Sequence, residues 1–188
     1  MMMQVIRNQS SGSMLLNKLM QSNSVRSYSV GFNALESKYL FRDQFNKVHD
    51  SKAIFENKKV VIIGIESESP IDDFQCIPSY VKNAQKFYEK GVDYVICLSN
   101  MTVPVLRAKS VSLDFQRQIS FLSDVDSKFA LDNKVVEELA VPGLGTDKPA
   151  IEYKRFAMIV NNGQVVYESV DKSDTCEHTK ADITLKKL

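Results

Sequence analysis

The chain has no tryptophan, two histidines and three cysteines, Cys76, Cys97 and Cys176, among 188 residues. Three scattered cysteines are too few for the disulfide framework of a small secreted domain. They point to a reducing compartment, where cysteine is core filler or a redox group. No apolar run approaches the ~20 residues that cross a bilayer, so no transmembrane segment is expected. Charge of one sign is also lacking: the formal net charge is +1. That excludes the overall basic footprint of a nucleic-acid binder. What is present, 44% hydrophobic and 25% charged residues, is the composition of an ordinary globular protein. The length suits one domain with a real core.

Acid is absent from the first 28 residues, which carry Arg7, Lys18 and Arg26, many Ser and Asn, and the apolar Met14, Leu15, Leu16, Leu19 and Met20. A basic, Ser-rich, acid-poor and weakly amphipathic start is the pattern of a mitochondrial transit peptide. Arg26-Ser27-Tyr28-Ser29 has the form of a processing site, so residues 1–28 are assigned as presequence with a mature start near Ser29. Removing those three positive charges from 24 basic residues leaves 21 against 23 acidic ones, a slightly acidic mature protein.

Residues 29–50 are mixed and aperiodic and are read as a linker or edge segment, with the main domain over 51–188. Val60-Val61-Ile62-Ile63-Gly64-Ile65 is a short β-branched run that predicts a strand buried on both faces. Phe74, Ile77, Val81, Ala84 and Tyr88 recur at helical spacing, and Gly91 fits the helix end. Val92–Leu98 predicts a second buried strand, and strand-helix-strand at this spacing is a βαβ unit. Helices are expected near 103–117 and 125–132, with a short strand at Ile119–Leu122 between them. Pro142-Gly143-Leu144-Gly145 and Pro149 mark a loop. Phe156–Val160, Asn161-Asn162-Gly163 and Val165–Tyr167 form a hairpin signal, because Asn-Gly supplies the positive φ angles of a tight turn. A polar link containing Cys176 leads to a C-terminal helix. A βαβ half, a hairpin and a closing helix make a thioredoxin-like α/β domain with a central mixed sheet flanked by helices.

Four phrases, in order and at matching spacing, resemble peroxiredoxins of the peroxiredoxin-5 type. They are Lys59-Val60-Val61-Ile62-Ile63-Gly64-Ile65, Pro78-Ser79-Tyr80-Val81, Lys90-Gly91-Val92-Asp93-Tyr94-Val95-Ile96-Cys97-Leu98-Ser99, and Tyr153-Lys154-Arg155-Phe156-Ala157-Met158-Ile159-Val160. The Asn162-Gly163 turn and Thr175-Cys176 fall where that subfamily has them. The resemblance covers 51–188 and implies thiol-dependent peroxide reduction. In that family a proline, a threonine and the attacking cysteine lie between the first strand and the following helix, and an arginine comes from a later strand. Here Glu66 stands at the proline, Pro70 at the threonine and Asp73 at the cysteine, while Arg155 remains. Met101-Thr102 replaces the Asn-Asp pair after the second strand.

A carboxylate cannot form the sulfenic acid through which a thiolate reduces peroxide. Asp73 does keep an anion in a helix's first turn, favoured by roughly 0.3–1 kcal/mol. Two placements stay open for it: an internal ion pair with Arg155, or a solvated first-turn acid. Cys76 lies three residues on, about 4.5 Å along a helix, and reads either as a small buried hydrophobe or as a displaced redox thiol. Cys97, inside an apolar strand, is core. Cys176 matches the family's resolving cysteine, though the sequence does not fix its distance from Cys76. Cys176 and His178 alone do not make a metal site.

The principal expectation is a catalytically inactive peroxiredoxin-like protein, an accessory subunit of a mitochondrial assembly such as a respiratory complex, the ATP synthase or the mitoribosome, on the matrix side. Its partners are proteins of that complex, or a second copy in a homodimer, without cofactor or nucleic acid. One alternative is a thiol peroxidase using Cys76 with Cys176 as resolving cysteine. The other is a redox-sensing or anion-binding module built on the relic pocket of Glu66, Pro70, Asp73 and Arg155.

Overall fold

The computed structural model describes residues 31–139, 150–172 and 174–188; the presequence expected over 1–28 and the loop expected around Pro142 and Gly143 lie outside the described residues. The β-branched run forms β3 (Lys59–Gly64), an interior strand of a seven-stranded mixed sheet. Strands alternate their side chains between faces, so a run buried on both faces must be apolar throughout. Val60 and Ile62 accordingly enter one core layer, and Val61 and Ile63 the other.

Beside β3 run β4 (Tyr94–Ser99) in parallel and β8 (Phe156–Asn161) antiparallel. The order is β2-β1-β5-β4-β3-β8-β9, with β5 (Ser120–Ser123) parallel to β4 and β9 (Gln164–Val170) antiparallel to β8. Asn162 and Gly163 have φ angles of 46° and 81° at the β8–β9 turn, as the Asn-Gly signal requires. Gly64 meets a different demand: a Cβ there would lie 1.9 Å from the ring of Phe156, its partner across the sheet.

The segment read as linker or edge carries β1 (Leu40–Asp43) and β2 (Val48–Asp50), which pair as a hairpin and join β5 at the sheet edge. A short helix α1 (Ser51–Phe55) leads from there to β3. Two further strands, β6 (Val136–Leu139) and β7 (Ala150–Tyr153), form a separate pair.

The helix after β3 opens with a π-helical turn (Asp72–Cys76) that runs into α2 (Ile77–Glu89). Gly91, at φ 77°, follows its end. The expected apolar stripe is corrected here. Ile77, Tyr80, Ala84 and Phe87 are buried, whereas Phe74 is 82% exposed and Tyr88 reaches the surface. The wider π turn breaks the 3.6-residue phase on which a count from Phe74 rests. The remaining helices are α3 (Val103–Leu113), α4 (Lys128–Asp132) and α5 (Ala181–Leu185). The result is the thioredoxin-like arrangement, a central mixed sheet between two helical layers.

Candidate active site

The site lies where the C-terminal end of β3, the start of the helix leading into α2, and the chain after β9 converge. Pro70 stands in the first turn of that helix, where a missing N–H costs nothing. The Ser69 carbonyl accepts from the amides of Asp72 and Asp73 at 3.1 and 3.4 Å.

Arg155, fully buried just before β8, organises this junction. Its Nε donates to Asp72 Oδ1 at 2.5 Å, and its Nη2 to Asp72 Oδ2 at 3.2 Å, Ser69 Oγ at 2.7 Å and Glu66 Oε2 at 3.3 Å. Nη1 donates to the carbonyls of Lys172 and Thr175. The Asp72 carboxylate also accepts from the Glu66 amide at 3.0 Å. Arg155 therefore ties the turn that carries Cys76 to the segment that carries Cys176. Two carboxyls share one guanidinium. Burial pushes both Asp72 and Glu66 up, with Arg155 opposing. Burial opposes the Arg155 charge, yet Asp72 and Glu66 hold the guanidinium more firmly protonated.

Glu66 and Arg155 of the expected pocket thus come together, but Asp73 does not join them. Successive helical residues project in different directions, so Asp72 points inward to the guanidinium while Asp73 pairs with Lys109 of α3. Of the two placements left open for Asp73, the internal pair with Arg155 is not formed: Asp72 takes that partner, and Asp73, partly exposed, lies against Lys109. Sequence counting missed Asp72, Ser69 and Lys109. A second acid beside Asp73 was the only signal available for the first of these.

Cys76 ends the π turn and faces inward, fully buried, where it forms a disulfide with Cys176. Their Cα atoms are 6.2 Å apart across a sequence separation of 100 residues, within the usual range for a bridge. Thr179 Oγ1 lies 3.8 Å from Cys76 Sγ and 3.6 Å from Cys176 Sγ. Tyr80 donates its hydroxyl to the Thr179 carbonyl at 2.8 Å, which anchors that strand of chain to α2. Cys97 is a free, buried core thiol whose pKa burial drives well above the ordinary value. Among the described residues no group of three His, Cys, Asp or Glu could hold a metal ion.

The disulfide joins the start of the helix after β3 to the C-terminal segment, and two such cysteines can exist bridged or reduced. The family model described as Redoxin matches residues 32–185. The chain belongs to the Redoxin family. Among its curated relatives is peroxiredoxin-2F, mitochondrial, of Arabidopsis thaliana, 31% identical over 121 residues, covering 64% of this chain and 58% of that protein. Peroxiredoxin Pen c 3 of Penicillium citrinum is 28% identical over 141 residues, covering 71% and 75%. Among solved structures, reduced Prx3 of Vibrio vulnificus in complex with hydrogen peroxide superposes with a TM-score of 0.73 at 25% identity, covering 85% of this chain and 99% of that one. The redoxin domain here is thus a peroxiredoxin fold.

These findings overturn the expectation of an inactive accessory subunit. The relatives are peroxiredoxins, and Cys76 and Cys176, whose separation the sequence left open, are bonded to each other. Counting along the helix treated Cys76 as displaced from the site. The π turn and the returning C-terminal segment bring it to Cys176 instead.

Proposed function

We propose that this redoxin is a thiol peroxidase in which Cys76 attacks the peroxide and Cys176 resolves the product. The observation that carries the reading is the Cys76–Cys176 disulfide within a fold shared with peroxiredoxins. In the reduced protein the Cys76 thiolate attacks one peroxide oxygen and the O–O bond breaks. The other oxygen leaves as water or an alcohol, and Cys76 becomes a sulfenic acid. The Cys176 thiolate then attacks Cys76 Sγ, water departs and the disulfide forms. Two electrons from an external thiol restore the pair. In this reading the acids Asp72 and Asp73 occupy the turn where the family resemblance expects the thiol, and the attacking sulfur sits at Cys76. Arg155, satisfied by Asp72, Glu66 and Ser69, acts as the clamp between the two cysteine-bearing segments.

The test is peroxide consumption by the purified protein with a dithiol reductant. Turnover is expected in the wild type and is lost in Cys76→Ser. Turnover equal to that of Cys76→Ser would sink the assignment.

A mitochondrial address accompanies the proposal. It rests on the acid-free, Arg-containing residues 1–28 and on one relative whose name carries that location. A fluorescent protein fused behind residues 1–28 should collect in mitochondria, and diffuse cytosolic signal would refute it.

A further inference from the structure

Thr179 is fully buried, and its hydroxyl lies against both sulfurs of the disulfide. The hydroxyl has one proton. In the bridged state that proton goes to Asp171 Oδ2 at 2.7 Å. Asp171 lies just beyond β9, and its carboxylate also accepts from the amides of His178 at 2.9 and 3.1 Å and Thr179 at 2.9 Å. Two backbone donors therefore remain to the carboxylate if the hydroxyl turns away. The sulfurs face the lone-pair side of Oγ1 while they are bonded to each other and carry no charge.

Reduction changes what the sulfurs require. A thiolate in a buried site needs a donor, and burial without one raises a thiol's pKa. Thr179 Oγ1 is the hydroxyl in contact with Cys76 and Cys176 alike. Rotation about its C–O bond moves the proton from Asp171 to sulfur without displacing a heavy atom.

We propose that Thr179 is a catalytic residue of the Cys76–Cys176 couple. Its hydroxyl donates to whichever of the two thiolates forms, and Asp171 holds that proton while the disulfide is closed. The step rests on the redox role proposed above for the two cysteines, though not on peroxide as the oxidant. It transfers no proton between residues. The attacking thiol loses its proton to solvent and its thiolate accepts the Thr179 hydrogen bond. It then attacks the other cysteine's sulfur, already oxidised to a sulfenic acid by peroxide or to a mixed disulfide by oxidised glutathione, and the new S–S bond expels hydroxide or the glutathione thiolate. The hydroxyl then returns to Asp171.

The ionisable groups around this site come from every element packed on it. They are Tyr167 on β9, Asp171 beyond it, Tyr80 on α2, Arg155 through the Thr175 carbonyl, Glu177 and His178 beside Cys176, and Asp182 on α5 near Tyr80. Of these, Asp171 is the one that shares the Thr179 hydroxyl.

The test follows disulfide closure rather than turnover. Reduced protein is mixed with oxidised glutathione, quenched with acid, and the bridged fraction read by mass spectrometry across a range of pH. Thr179→Val keeps the shape and removes the hydroxyl, while Thr179→Ser keeps the hydroxyl. A hydrogen bond to a charged group is worth a factor of about ten or more. Thr179→Val should therefore close about tenfold more slowly near neutral pH, with its pH profile moved toward alkali, and Thr179→Ser should stay near the wild type. A Val variant with the wild-type rate and profile would overturn the proposal. So would a Ser variant as slow as Val, because packing of the methyl would then explain both. Thermal melts of the three disulfide forms check that the fold is kept. Normal closure without peroxide turnover would refute the peroxidase reading and leave Thr179's role standing.

Discussion

On one face of the central sheet the core is made of rings. Phe129 meets Tyr39 edge-on at 5.4 Å, Phe41 at 5.8 Å and Phe55 in a stack at 6.0 Å. On the other face, against α2 and α5, apolar packing is interleaved with polar groups: the Tyr80 hydroxyl hydrogen-bonds both the Thr179 carbonyl and the Thr184 hydroxyl beside Cys76 and Cys176. The first face is stabilised by area and ring geometry, which no change of redox state alters. The second is cross-linked. There the chain's last segment is held to α2 by one covalent bond, by a few hydrogen bonds to residues 176–184, and by the Lys90 ammonium on the Leu185 carbonyl. The face that can be loosened is the one that carries the chemistry.

Reduction should separate the two faces most strongly. A bridge closing a loop of 100 residues contributes roughly 4–5 kcal/mol on the chain-entropy account. Urea unfolding with and without a phosphine reductant should show a loss of that order. Hydrogen exchange should rise first in residues 174–188 and around the π turn, leaving the amides of β3 and β4 protected. Equal loss of protection on both faces would break the comparison. The second effect comes from the ring face. Phe129→Ala removes the ring that joins three others, and a substitution of this kind costs about 3–5 kcal/mol. Its cost should be the same in oxidised and reduced protein, because Phe129 contacts neither cysteine segment. A redox-dependent cost would mean that the two layers are coupled through the sheet.

The middle of the sheet and the β8–β9 turn were legible in the sequence because their signals are local. A β-branched run, an Asn-Gly turn and a Gly after a helix each specify a backbone state within a few residues. Arg155 was legible too, through the family resemblance of Lys154-Arg155-Phe156. The partner of Arg155 was not, because choosing between Asp72 and Asp73 requires the helical phase, and a π turn shifts that phase by an amount no periodicity reveals. The strands β1 and β2 were missed as strands for a related reason. They are short, and Leu40 and Val48 face outward, so neither shows clean alternation. The disulfide and the Asp171–Thr179 pair were the least readable. Their members approach only when the C-terminal segment closes on α2, across about a hundred residues in the case of the bridge.

The smallest expected effect lies at the edge of the ring face and sharpens the contrast by its indifference to reductant. Asp43 closes the β1–β2 turn. Its Oδ1 accepts from the amides of Phe45 and Lys47, both at 2.9 Å, and its Oδ2 meets His49 Nε2 at 3.0 Å. Burial pushes the carboxyl up, but the His49 contact and the two amides outweigh it, so its pKa lies below the ordinary value. A carboxyl whose pKa is lowered by folding stabilises the folded state above its unfolded value of about 3.9, and that contribution fades as the pH falls through the folded value. Asp43→Asn should therefore lower the melting temperature slightly at pH 7, and the gap should narrow steadily below about pH 4. The gap should also be the same with and without reductant, since the turn lies across the sheet from the cysteines. A gap that held constant into the acid range would show that the amide geometry, rather than the charge, secures the turn.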